Sequence, residues 1–144
     1  MNGERLVELT RRYRFEAAHR LHTTLLSEDE NQRVFGKCCR PGGHGHNYEV
    51  ELTLRGRPDG MSGFLMSRQR MDALVEEHLL ARVDHRNLND VIDDVVTTGE
   101  NLARRFHEWL RPVFDRPAEL VRVRVRETPK NLFEYPGGGT EWKN

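Results

Sequence analysis

The chain has 144 residues, enough for one domain with a substantial core, and it reads as a single unit over residues 1–144 without repeats. Charged residues make up 32% of it, but Lys+Arg and Asp+Glu number 23 each, so no net charge marks a nucleic-acid or membrane-surface partner. No apolar run is long enough to span a bilayer and no charged-then-apolar leader opens the chain, so a soluble cytoplasmic protein is expected, and the modest 36% hydrophobic content suggests further burial in an oligomer.

Leu6 to His19 reads as a strand: Val7, Leu9, Tyr13, Phe15, Ala17 and His19 share one parity, broken by Arg11, and polar residues take the other. His19 ends that strand on its apolar side, as a hydrogen-bonded core residue or as a ligand. His22 to Gly43 shows no sustained period; Ser27 and the acids after it suit a short helical turn, and the remainder reads as a loop. That loop ends in Cys38 and Cys39, adjacent thiols that read as unpaired and as belonging to a reducing compartment. Free thiols are usually buried and inert; lysine, arginine and histidine around these favour a reactive thiolate instead.

His46 to Arg55 alternates without a fault, and His44 extends its apolar set. If the two strands pair antiparallel, His19, His44 and His46 converge at one end of the sheet. Three neutral imidazoles suit zinc and leave a fourth position for water or substrate. Cys38 as a fourth ligand would make the site structural instead, and a sheet end without metal is the remaining reading.

Pro58-Asp59-Gly60 marks a turn, and Phe64-Leu65-Met66 is a short apolar run that could continue the strand pairing. Ser67 can cap a helix whose stripe is Met71, Leu74, Val75, His78 and Leu79, with His78 a packing residue and the end near Arg82. Asp84-His85 follows in a polar turn, as a solvated pair or as a proton-transfer element; neighbours in sequence do not form the usual carboxylate–imidazole hydrogen bond simply by adjacency. A second helix is expected after Thr97-Thr98-Gly99-Glu100, read as a capping box with Thr97 first; its stripe runs from Leu102 to Val113 and leaves His107 exposed. Val121, Val123 and Val125 alternate with arginines in a strand that brings Glu127 to the apolar side, where a carboxylate needs an ion pair or a ligand with paired N–H donors. Asn131 to Tyr135 is the last strand, and Pro136 begins a loose tail. The expected class is α+β: a four-stranded antiparallel sheet with two helices on one face and a charged face left over.

Phe15-x-Ala17-x-His19-Arg20-Leu21, Phe35-Gly36-Lys37-Cys38, His44-Gly45-His46-Asn47-Tyr48, Asp84-His85-x-x-Leu88-Asn89, Thr98-x-Glu100-Asn101 and Val125-x-Glu127-Thr128 occur in that order. The ordered set resembles the 6-pyruvoyl tetrahydropterin synthase / 6-carboxytetrahydropterin synthase family from about Arg12 to Tyr135. The resemblance implies a tunnelling fold: sheets of a trimer closing into a barrel, two trimers stacked as a hexamer, and active sites at subunit interfaces. It implies Zn2+ on His19, His44 and His46, with 7,8-dihydroneopterin triphosphate as substrate. Cys38 would be the general base, Asp84 and His85 would move protons, and Glu127 would hold the pterin, with Thr98 and Glu100 as further contacts. Arg14, Arg20 and Lys37 are triphosphate candidates by charge and position alone. Five residues separate Cys38 from His44, which resembles the 6-pyruvoyl type. The 6-carboxy type, in queuosine biosynthesis, is the alternative, and a non-catalytic zinc-stabilised binding module is the alternative of another class. Cys39 competes with Cys38 for the base role, and the Phe-Gly-Lys context favours Cys38.

Overall fold

Period-two alternation places β1 (Val7–His19) and β2 (His44–Gly56) in one continuous antiparallel ladder from Val7↔Gly56 to His19↔His44. The computed structural model describes residues 5–137. β2 continues antiparallel into β4 (Ala118–Thr128), and β4 into β5 (Asn131–Tyr135). The sheet is therefore larger than four strands: a two-residue strand, β3 (Arg86–Asn87), joins the far side of β1 in parallel, giving the order β3-β1-β2-β4-β5. β3 was not legible as a strand because its two residues are both exposed and carry no alternation.

The apolar face of the sheet is covered by helices. Phe15, Tyr48, Val50, Leu52, Leu54, Val123 and Val125 pack in one cluster with Met71, Val75 and Leu79 of the first covering helix and Leu102, Phe106 and Leu110 of the second. The opposite face carries cross-strand charge pairs. Glu51 lies 3.1 Å from both Arg12 and Arg124, and Glu49 lies 3.2 Å from Arg14 and 3.6 Å from Arg126. Part of the balanced charge thus meets as alternating signs on one surface. Arg11, which breaks the first strand's parity, reaches Asp72 with two hydrogen bonds of 2.6 and 2.8 Å, and Tyr13 donates to the same carboxylate.

The helical turn expected at Ser27 forms and runs on as α1 (Glu28–Phe35), opened by a full capping box from Ser27 and Glu30. The rest of the loop is not all irregular, since a 3-10 turn follows over Gly36–Cys39. The only buried residue of α1 is Asn31, whose amide bonds Thr23, Leu26 and Ser27, so the helix shows no apolar stripe. Phe64-Leu65-Met66 forms no strand, although Leu65 and Met66 are buried under the sheet end. The first covering helix, α2 (Arg68–Val75), widens into a π turn over Glu76–Leu80 before α3 (Ala81–Val83). The extra residue in that turn rotates the stripe, and His78 is half-exposed beside Glu77 rather than packed. The short α4 (Leu88–Val91) follows β3.

The second covering helix is α5 (Gly99–Leu110), and its N-cap is Thr98, whose side chain accepts from Asn101 N–H. Thr97 is fully buried and committed elsewhere, so the expected box with Thr97 first does not form. His107 is buried, only 8% exposed, because the Tyr135 ring packs against it, tilted, at 5.0 Å and Gly137 closes over its Nε2. In β4 a bulge at Val121 puts Leu120 opposite Leu54 and Val123 opposite Leu52. Leu120 and Ala118 therefore face the core, and Val121 does not. The tail expected from Pro136 lies outside the described residues from Gly138 on. Among the described residues no helix is long and apolar enough to cross a membrane.

Candidate active site and metal centre

The end of the β1–β2 ladder is where the histidines meet. His19 pairs with His44, Ala17 pairs with His46, and the shared parity sends all three imidazoles to the covered face. One ligand nitrogen from each lies within 4.8 Å of the others, and the His19 and His44 Nε2 atoms are 3.1 Å apart. The approach is close because position 43 is glycine: φ is +70° there, and a Cβ would sit 2.8 Å from the His19 carbonyl oxygen.

His19 is held by Thr97, whose carbonyl oxygen lies 2.9 Å from Nδ1. Nδ1–H donates there, which leaves the Nε2 lone pair facing the cluster. Tyr48 OH lies 3.4 Å from Nε2, and burial raises the phenol's pKa. His46 Nε2 is buried and has no aligned hydrogen-bond partner, although Glu127 Oε1 comes within 3.3 Å. A buried, unsatisfied ring nitrogen aimed at two others fits a group that could hold a metal ion.

The electrostatics agree with that fit. Burial, reinforced by the neighbouring imidazoles and opposed by the Thr97 hydrogen bond, brings His19 down to about 4. Burial also lowers His44 and His46. All three rings are thus kept neutral, the form that binds metal. Glu127 is raised by burial and by the charge of Glu100, against the attraction of His44. Glu100 is exposed in the first turn of α5, and Thr98 uses its hydroxyl as the helix cap.

A pH dependence follows for the metal-free protein. The folded pKa of His19 lies below its value in the unfolded chain, so the unfolded state binds more protons in the window between them. Stability is present in full above about pH 6.5 and is lost as pH falls toward 4. Urea midpoints of the metal-free protein are expected to fall across that window, and less steeply in His19→Asn. Equal slopes for the two proteins would contradict it.

The thiols separate by burial: Cys39 is 3% exposed and Cys38 half-exposed. Cys38 does not belong to the histidine group, and its carbonyl accepts from Leu21 N–H at 2.8 Å, which ties the cysteine loop to the chain just past β1. Arg20 donates from Nε to the Cys39 carbonyl at 2.6 Å, while Arg14 pairs with Glu49 on the far face of the sheet.

Asp84 and His85 do not join the histidines within one chain. Asp84 Oδ1 accepts from Glu16 N–H at 2.9 Å, and His85 N–H donates to the Glu16 carbonyl at 2.6 Å. His85 has φ +57°, which folds its Nδ1 to 3.1 Å from Asp84 Oδ1, so these sequence neighbours do come together. The His85 ring is largely exposed and lies 3.5 Å from Glu16, whose parity is opposite to that of Ala17 and His19. A shallow hollow lined by Glu16, Asn47, Asp84 and His85 opens on that outer face. The pair therefore stands at the open edge of β1, with the His85 ring beside Glu16, whereas the three imidazoles take the opposite parity. Sequence reading missed Thr97, because a threonine before a helix looks like a cap, and Tyr48, which the parity of β2 could have pointed to.

The family model described as 6-pyruvoyl tetrahydropterin synthase matches residues 8–138. A 6-pyruvoyl tetrahydrobiopterin synthase of Poecilia reticulata is 42% identical over 139 residues, covering 94% of this chain and 93% of that one. The protein of that name from Homo sapiens is 40% identical over 133 residues, with 90% and 91% covered. The solved structure of Caenorhabditis elegans 6-pyruvoyl tetrahydropterin synthase superposes with a TM-score of 0.86 at 40% identity, covering 92% of this chain and 96% of that one. Fold and sequence agree over nearly the whole length, and the chain belongs to the 6-pyruvoyl tetrahydropterin synthase family.

Proposed function

We propose that the protein is a zinc-dependent, phosphate-eliminating lyase that converts 7,8-dihydroneopterin triphosphate to 6-pyruvoyl tetrahydropterin and triphosphate. The observation that carries this reading is the convergence of three neutral imidazoles beside Glu127 and the cysteine loop. The His19 and His44 Nε2 atoms stand 3.1 Å apart, close enough that one ion could take a lone pair from each. Zinc held by His19, His44 and His46 supplies Lewis-acid polarisation of the substrate's side-chain hydroxyls.

The protein's own groups do the rest. Glu127 accepts from the pterin's ring N–H and amino group, side by side. Its raised pKa reports a desolvated carboxylate, a strong acceptor once those donors are present. Thr98 and Glu100 shape the same end of the pocket. Cys38, as thiolate, takes a proton from the side chain, and the Asp84–His85 pair takes up and returns protons. The electrons lost as the carbinol next to the ring becomes a ketone are those gained by the ring's C=N bond, so no external oxidant is needed. Removal of the second carbinol proton expels triphosphate from the neighbouring carbon, and the enol formed becomes the methyl ketone.

The position of Asp84–His85 at the open edge of β1, outside the histidine group, favours a site completed by a second copy of the chain. β1 has no neighbour along Val7–Arg14 on its outer side among the described residues, and Leu6 and Val7 there are 50% and 44% exposed. An open strand edge with apolar residues suits pairing between subunits, as in the expected barrel and hexamer. The relatives named above carry the 6-pyruvoyl name, which favours that product over the 6-carboxy one.

Mixing tests the shared site. Cys38→Ala and His85→Ala are each expected to be inactive alone; dissociated and reassembled together, they are expected to regain a measurable fraction of wild-type activity. No recovery in mixtures shown by mass to be heteromeric would contradict a site built from two chains.

A further inference from the structure

β1 stops at His19, and the next residue loses the ladder but not its hydrogen bonds. Arg20 N–H donates to Asn89 Oδ1 at 2.7 Å, and the Arg20 carbonyl accepts from Asn89 Nδ2 at 2.9 Å. One side chain thus takes the place of a strand neighbour for both backbone groups of Arg20. A side-chain amide offers an acceptor and a donor side by side without any change of protonation. The same Nδ2 lies 3.5 Å from Thr97 Oγ1, and Thr97 holds His19 through its carbonyl at 2.9 Å. On the other side, the Arg20 side chain donates to the Cys39 carbonyl at 2.6 Å and lies 3.9 Å from Cys39 Sγ. Asn89 also sits on α4, immediately after the segment that carries Asp84 and His85.

We propose that Asn89 is a positioning residue that couples the metal-facing His19 to the loop carrying Cys38, with Arg20 as the connecting piece. The inference rests on the reading of Cys38 as the base. Asn89 touches neither substrate nor metal. It fixes the chain direction just after His19, and Arg20 transmits that direction to the Cys39 carbonyl, in the residue next to Cys38. Thr97 closes the circuit by holding the imidazole that the strand end presents. The network gives Arg20 a task within the chain.

The chain can be cut at two places. Asn89→Leu removes the amide's contacts to Arg20 and Thr97 at similar size, and Arg20→Met removes the guanidinium while leaving the Asn89 bridge. Three quantities are read: zinc affinity against a chromophoric chelator, the rate at which iodoacetamide alkylates Cys38 (located by mass) in substrate-free protein, and kcat with KM. Asn89→Leu is expected to weaken zinc by about 10-fold or more, in the range typical of residues that orient a metal-binding histidine. It is also expected to change the alkylation rate several-fold and to lower kcat with KM nearly unchanged. Arg20→Met is expected to reproduce the alkylation and kcat changes with zinc affinity kept, and the double variant to show no larger kcat loss than Asn89→Leu alone.

Should Asn89→Leu not fold, Asn89→Asp, which keeps the acceptor and loses the donor, is expected to give the same pattern at smaller amplitude. The proposal is overturned if alkylation and zinc affinity stay at wild-type values in folded Asn89 variants, if the kcat effects multiply, or if Arg20→Met raises KM alone. A wild-type protein without synthase activity sinks the proposed function but leaves the zinc and alkylation measurements to decide the coupling.

Discussion

Cys38→Ala is expected to lose turnover by about 10³-fold or more while retaining its metal, since removing a positioned proton-transfer group typically costs 10²–10⁴. The metal is retained because the Cys38 thiol stands outside the three-histidine group. Cys39 does not substitute for it: that residue is 3% exposed, and Arg20 braces its carbonyl. Metal analysis of the purified variant, together with single-turnover kinetics, checks both halves of the expectation. A variant that loses its metal would point to Cys38 as a fourth ligand and to a zinc-stabilised binding module, the reading from another class that the sequence leaves open.

The second large effect is expected at Glu127. Glu127→Gln keeps the size of the side chain but turns one accepting oxygen into an NH2 facing the ring's own donors. A desolvated carboxylate hydrogen bond is worth about 1.5–3 kcal/mol, so KM is expected to rise on the order of 10²-fold, with a smaller change in kcat. The metal site is expected to tolerate the change, because Glu127 approaches His46 at 3.3 Å without forming an aligned hydrogen bond. Because the pKa of Glu127 is raised, its charge is lost at a higher pH than for an ordinary carboxylate as acid is added. Pterin binding should weaken on the acid side accordingly. A Glu127→Gln enzyme with unchanged KM would remove Glu127 from pterin recognition.

The sheet and the histidine cluster were legible because a two-residue period leaves little freedom. Once β1 and β2 pair, His19, His44 and His46 must share a face and an end. Elsewhere the sequence pattern carried too little. The bulge at Val121 inserts one residue into an apolar run in which either parity looks plausible. α1 is amphipathic without an apolar stripe, its buried side being the single amide of Asn31. Thr97 looked like a cap because local chemistry cannot reveal that its carbonyl is needed by His19, 78 residues earlier. The left-handed turn at His85 gives no sign in residue type, and it brings the imidazole back to its neighbour Asp84. Residue types thus pointed to the candidate groups, while the separation of Asp84 and His85 from the histidine group came only from the fold.

The proposed synthase activity is tested most directly by incubating the zinc-loaded protein with 7,8-dihydroneopterin triphosphate and resolving the products by mass under anaerobic conditions. A 6-pyruvoyl tetrahydropterin product with one released triphosphate per turnover is expected. A 6-carboxy tetrahydropterin with acetaldehyde would reverse the product assignment, and unchanged substrate with zinc bound at His19, His44 and His46 would contradict the enzyme reading itself.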